Sequence, residues 1–149
     1  MTCAHCNQVL NQEEMFSSVI AYDVPLCSKH HTKITALLNR TNTPVEALQL
    51  FYALRSSGAK PMLEWWDGDK YVDIALSRAQ INIEIYSTKE ELQANEIAQA
   101  LLGTNDYSQS NFTTIQISTA VIKESLTETV SYILELEKKH RDLQTTDCC

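Results

Sequence analysis

Glycine and proline are scarce, three of each in 149 residues, which excludes a collagen-like repeat and a proline-rich or glycine-rich linker. Long apolar runs are missing as well. The longest span only a few residues, far below the ~20 that a membrane-crossing helix requires. The first twenty residues have neither the basic start nor the apolar core of a signal peptide. Positive charge is in deficit: twelve Lys and Arg stand against nineteen Asp and Glu, a net charge of −7. That balance counts against a protein whose affinity comes mainly from neutralising phosphates. What remains is ordinary globular stock, 44% hydrophobic and 21% charged, enough for one domain with a small appended module. A soluble, cytoplasmic protein with no membrane partner is expected.

The charge is uneven. Residues 1–83 hold seven Lys/Arg and eight Asp/Glu, whereas residues 84–149 hold five and eleven. Lys29, Lys33 and Arg40, with His30 and His31 beside them, form the only locally basic stretch. Lys29 and Lys33 are therefore candidate substrate-binding cations, together with Lys70. Of the five cysteines, Cys3, Cys6 and Cys27 lie early and Cys148 and Cys149 late. An odd count without a secretion signal argues against a disulfide framework.

Cys3-Ala-His-Cys6 and, twenty residues on, Cys27-Ser-Lys-His30 read as C-x2-C followed by C-x2-H. Each pair aims two soft donors at one place from a short knuckle or helical turn, and two such pairs complete a tetrahedral zinc site. His30 is favoured as the fourth ligand because a residue three after Cys27 shares its helical face, with His5 and His31 as neighbouring alternatives. Four protein ligands make the zinc structural, and it would hold together a segment too small for a core of its own. The pattern resembles a treble-clef or ribbon finger. A strand is expected near Val19–Tyr22 and a helix over about Ser28–Asn39.

A second helix opens at Thr43-Pro44, with Glu46 complementing its positive end, and stops at Ser57-Gly58. Period two follows in three segments, around Leu63 and Trp65, Val72 to Leu76, and Ile81 to Ile85. They read as strands joined by hairpins at 67–70 and 77–80. Those hairpins set Glu64 opposite Asp73 and Asp73 opposite Glu84, a row of three carboxylates on one face. Repelling acids so placed suggest a divalent cation such as Mg²⁺ or Mn²⁺, while a wet outer sheet face is the plain alternative. The capping box Thr88-Lys-Glu-Glu91 opens a helix to about Leu102, and Phe112–Ser118 is a fourth strand. A long helix from Thr119 to Arg141 carries Ile122, Leu126, Val130, Ile133, Leu134 and Leu136 on its apolar stripe. The stripe suits core packing or a homodimer. The expected fold class is α/β (α+β), with a zinc-finger module at 1–40, a core at 41–142 and a flexible tail at 143–149.

Helix, three antiparallel strands with aligned acids, helix, strand, helix resembles the PD-(D/E)XK nuclease core. Individual segments are similar to its very-short-patch-repair-like branch. Thr43-Pro-Val-Glu46 with Leu54-Arg55 resembles the first core helix. Lys70-Tyr-Val-Asp73-Ile-Ala-Leu and Ile81-Asn-Ile-Glu84-Ile resemble the two acid-bearing strands, and Tyr107-Ser108 with Phe112-Thr-Thr-Ile-Gln-Ile resembles the late strand. The resemblance covers roughly residues 43–137. It implies that Asp73 and Glu84, assisted by Glu46, hold Mg²⁺ and act in phosphodiester hydrolysis. Glu64 matches nothing essential in the family.

The departures bear on activity. Tyr86-Ser87 stands where the family places lysine, or aspartate and glycine, and a phenol of pKa ~10 supplies no cation at neutral pH. The histidine expected a few residues later is absent. Gln93 is a polar helper in its place, and Lys70 or Lys89 a spatial substitute for the lysine. Two functions thus stand open: a nuclease-derived module that binds or regulates a nucleic acid or a nucleic-acid-processing protein, and a metal-dependent endonuclease using Asp73 and Glu84. A purely structural zinc protein is the third. Cys148-Cys149 reads as a frayed tail rather than a prenylation signal.

Overall fold

The computed structural model describes residues 1–41, 43–66, 71–87 and 113–146. The chain opens in a knuckle whose arms meet at a Thr2–Val9 antiparallel bridge. Cys3 N–H donates to the Gln8 carbonyl at 2.8 Å and Asn7 N–H to the Cys3 carbonyl at 2.9 Å. Asn7 takes the left-handed conformation, φ 64°, that turns the chain back.

Helix α1 (Gln12–Tyr22) occupies the place where a strand was expected near Val19–Tyr22. The correction has a local cause. Asn11 and Glu14 form a capping box, Glu14 N–H donating to Asn11 Oδ1 at 2.7 Å and Asn11 N–H to Glu14 Oε1 at 3.3 Å. Once the helix has started, Ser18 and Tyr22, four apart, fall on one buried face. That packing overrides the strand preference of Val19-Ile20. The buried Ser18 hydroxyl then accepts from Leu26 N–H at 2.9 Å, tying the returning loop to the helix. Glu14 Oε2 accepts from Ser28 N–H at 2.8 Å, so one carboxylate caps its own helix and the start of the next.

Helix α2 (Ser28–Thr41) turns Ile34 and Leu38 inward. Helix α3 (Val45–Ser56) buries Ala47, Leu48, Leu50, Phe51, Tyr52 and Leu54 and ends before Gly58 at φ 95°. A four-stranded mixed sheet follows: β1 (Met62–Trp66), β2 (Tyr71–Leu76), β3 (Ile81–Tyr86) and β4 (Thr113–Ser118), in that spatial order. The first three are antiparallel and β4 runs parallel to β3. A short 3-10 turn, Ser77–Ala79, and left-handed Gln80 join β2 to β3.

The single helix expected from Thr119 to Arg141 is two, α4 (Thr119–Glu124) and α5 (Leu126–Thr146). The break is at Ser125, whose N–H still donates to the Val121 carbonyl while its own carbonyl accepts the N–H and the hydroxyl of Thr129. Splitting the helix lets Ile122 and Ile133, both with no exposed surface, reach one core. That core is continuous, from Cys3, Tyr22 and Leu26 through Leu48 and Leu54 to Ile74, Ile83 and Ile133. Leu126, Leu134 and Leu136 pack against it, so the expected stripe is used within the chain. Among the described residues no helix is long and apolar enough to cross a membrane. Lys70, the 88–102 helix with Lys89 and Gln93, Tyr107-Ser108 and Cys148-Cys149 lie outside the described residues.

Candidate metal centre and the carboxylate face

Cys3 and Cys6 enter from the knuckle, Cys27 from the residue before α2 and His30 from its first turn. The four ligand atoms lie within 4.8 Å of one another. Cys6 Sγ is 3.9 Å from Cys27 Sγ, and His30 Nδ1 is 3.8 Å from Cys3 Sγ and 3.2 Å from Cys27 Sγ. A zinc tetrahedron with bonds of ~2.3 Å to sulfur and ~2.0 Å to nitrogen has sulfur–sulfur edges of about 3.8 Å and sulfur–nitrogen edges of about 3.5 Å. The donor set and its dimensions therefore fit zinc. His30 is the histidine brought to the set. His31 turns away, its ring edge-on to Tyr22 with centroids 5.4 Å apart.

The thiols of the set stand in different electrostatic surroundings. Burial pushes the Cys3 thiol up, but the backbone groups of Cys27, Cys6 and His5 and the Cys6 side chain outweigh it, and its pKa falls. The Gln8 backbone favours a Cys6 thiolate, yet burial and the neighbouring sulfurs of Cys3 and Cys27 prevail and its pKa rises. A positive ion among the donors would favour the Cys6 thiolate against the neighbouring sulfurs that oppose it. Burial and then Lys29, Lys33 and Arg55 lower the His30 pKa, which keeps the imidazole in the neutral form that ligates.

His5 makes three contacts of its own beside the set. Its backbone N–H donates to Cys3 Sγ at 3.4 Å, its ring stacks on His30 with centroids 4.1 Å apart, and its Nδ1 lies 3.0 Å from the Tyr52 hydroxyl. The last contact ties the knuckle to α3. Burial raises the Tyr52 pKa, so the phenol stays neutral. Sequence reasoning missed Tyr52, because on α3 it reads as one more apolar position and its partner lies 47 residues away.

On the sheet, Leu63↔Ile74 and Trp65↔Val72 bracket the position at which Glu64 faces Asp73. Ile74↔Ile83 and Ala75↔Asn82, continued by one residue, set Asp73 against Glu84. This is the expected register, with one local difference: Glu64 sits at φ 53°, a left-handed residue inside a strand. Its carboxylate accepts from the Thr43 hydroxyl, while Asp73 Oδ2 accepts from Ile85 N–H at 2.7 Å. Burial raises the Glu64 pKa, Thr43 lowers it and Asp73 raises it again. A cleft of about 580 Å³ reaches these acids, lined by Leu37, Arg40, Thr41, Leu63, Glu64 and Asp73.

Glu46 stands in the first turn of α3, and Lys29 and Lys33 are exposed on α2. Among the described residues, Cys3, Cys6, Cys27 and His30 are the one group of three or more His, Cys, Asp or Glu whose ligand atoms approach this closely. Comparison with known proteins finds no match: no family model, no curated protein and no solved structure matches the chain.

Proposed function

We propose that this chain is a zinc-stabilised, nuclease-like binding module of PD-(D/E)XK type, acting on a nucleic acid or a nucleic-acid-processing protein without cutting. The observation that carries the reading is the topology, a helix, three antiparallel strands and a fourth strand parallel to the third, with Asp73 and Glu84 at facing register positions. Loss of cutting is argued from Tyr86, which follows Glu84 by two residues and so shares its face. A neutral phenol neither positions a phosphate nor ligates Mg²⁺ well. One oxygen of Asp73 is already engaged by a backbone N–H. The metal centre, with four protein donors, leaves no open coordination position and serves as a clamp.

A second reading, an active endonuclease, has two observations in its favour. Arg40 lines the same cleft as Glu64 and Asp73, a guanidinium beside two of the three acids. Asn82, buried and two residues before Glu84, has a side-chain oxygen with no hydrogen-bond partner. In this reading Asp73 and Glu84, with Glu46, would hold Mg²⁺, which when bound polarises a scissile phosphate.

The two separate in one assay. The protein is incubated with supercoiled, linear and single-stranded DNA and with RNA in Mg²⁺ and in Mn²⁺, beside Asp73→Ala and Glu84→Ala. The binding module yields retention of substrate without cleavage. Cleavage abolished in both variants establishes the enzyme.

A further inference from the structure

Four of the seven cations in residues 1–83 lie along one track. Helix α2 carries no acidic residue in its fourteen positions, and Lys29, Lys33 and Arg40 are all exposed on it. At i, i+4 and i+11 they fall within about 40° of arc on a helix of 100° per residue. At one end, Lys29 precedes His30 in the first turn of α2 and Lys33 follows it by three residues, while exposed Arg55 stands one turn of α3 beyond Tyr52, whose hydroxyl meets His5. At the other end, Arg40 lines the cleft with Glu64 and Asp73. The track thus joins the metal centre to the carboxylate cleft over about 16 Å of helix, a length along which one B-form strand presents about five phosphates.

These charges have no internal task that accounts for them. Zinc with three thiolates and a neutral imidazole carries one net negative charge, fewer than the three cations around it. Among the described residues none of the four cations pairs with a carboxylate within 4.0 Å, while Arg141 does pair with Glu137 at 3.4 Å. Nor is the stripe built like a protein interface. Beside its cations it offers Ala36 and half-buried Leu37 but no aromatic anchor, and a surface that binds mainly by charge is of the phosphate-reading kind.

We propose that Lys29, Lys33, Arg40 and Arg55 form a track that holds the phosphodiester backbone of a nucleic acid and leads it from the metal centre to the Glu64–Asp73 cleft. The proposal rests on the nucleic-acid reading above and assigns that partner a surface. Its net charge of −7 makes the whole chain a poor polyanion ligand. Binding is therefore confined to this track and is strongly dependent on salt.

The test is fluorescence anisotropy of the zinc-loaded full chain with labelled 20-mers of single-stranded and duplex DNA and RNA, titrated between 50 and 200 mM salt. Replacing Lys29, Lys33, Arg40 and Arg55 by Gln weakens binding at least tenfold at low salt and lowers the slope of log K against log salt by about 0.7 per cation removed on single strands. A matched variant with Lys60, Lys123, Lys138 and Lys139 replaced by Gln stays within twofold of the parent. Zinc content and thermal melting certify the folded state of each. If the fourfold variant loses zinc, Lys29→Gln with Arg40→Gln carries the test instead. Parent binding that the track variant retains, or that the matched variant loses equally, overturns the track and leaves the nucleic-acid reading standing. No binding to any probe overturns both. Track-dependent binding of polyglutamate without binding of nucleic acid overturns the proposal in favour of an acidic protein partner.

Discussion

Two regions of this molecule crowd groups that repel one another when ionised, and they resolve the crowding differently. At the knuckle, three cysteine sulfurs and one imidazole converge within 4.8 Å. Backbone groups help the Cys3 thiolate, but Cys6 is still pushed up by its sulfur neighbours. The four donors lie close enough to hold one metal ion, and the set is compatible with zinc. On the sheet, Glu64 and Asp73 face each other in register, and each is met by a protein donor, the Thr43 hydroxyl and the Ile85 N–H. Glu64 leaves regular strand geometry to reach its partner, at a cost of about 1–2 kcal/mol for a left-handed non-glycine residue. The contrast teaches that crowded ionisable groups suit a metal when their donor atoms converge on one point. Cys3, Cys6, Cys27 and His30 converge in this way, whereas Glu64 and Asp73 turn to separate protein donors.

Removing a ligand breaks the comparison most forcefully. Cys27→Ser takes the protein from about one zinc per chain to nearly none and lowers the melting temperature by about 10 °C or more, because metal affinity in such sites is folding free energy. Metal analysis and calorimetry read both quantities. Zinc kept at full stoichiometry in Cys27→Ser would remove the metal centre from the account. Hydrogen exchange sharpens the result, since amides of 3–41 lose protection on chelation before those of β2 and β3.

A smaller effect tests how the two regions are joined. Tyr52→Phe deletes the hydroxyl that reaches His5 and costs about 1 kcal/mol, or 2–4 °C in melting temperature for a chain of this size. Its zinc content stays unchanged, and zinc lost in this variant would make Tyr52 part of the metal site itself.

The smallest effect concerns the sheet alone. Burial raises the Glu64 pKa, so the folded chain holds that proton more tightly than the unfolded chain does. The associated stability is complete below the ordinary value of 4.5 and is lost as pH rises through the folded value. Glu64→Gln, which cannot ionise, is neutral at pH 3.5 and raises the melting temperature at pH 7 by about 1–2 °C, small because the side chain is only half-buried. Destabilisation at pH 7 would instead mean that a cation holds the ionised carboxylate, and the contrast between the two regions would collapse.

Much of this was legible in the residues because the controlling geometry is short-range. C-x2-C and C-x2-H each place two ligands within one turn, and period two with short connections determines a register to the residue. The features that escaped depend on partners far away in the chain. Val19-Ile20 is strand-like in isolation and helical because Asn11 and Glu14 cap α1. Thr119–Arg141 has an unbroken helical pattern, and Ser125 interrupts it so that Ile122 and Ile133 share one core. Arg40 belongs to a basic stretch by composition, and only the tertiary structure sets the end of α2 across one cleft from Glu64 and Asp73.

The sequence by itself determined the metal ligand spacing, the class of the fold and the register of the sheet, since each follows from local periodicity. Only the tertiary structure decided that His30 completes the set, that His5 and Tyr52 strap it to α3, and that Glu64 turns aside to Thr43. Those outcomes depend on which side chains meet across tens of residues, and burial and hydrogen bonding settle such meetings only once the core has closed.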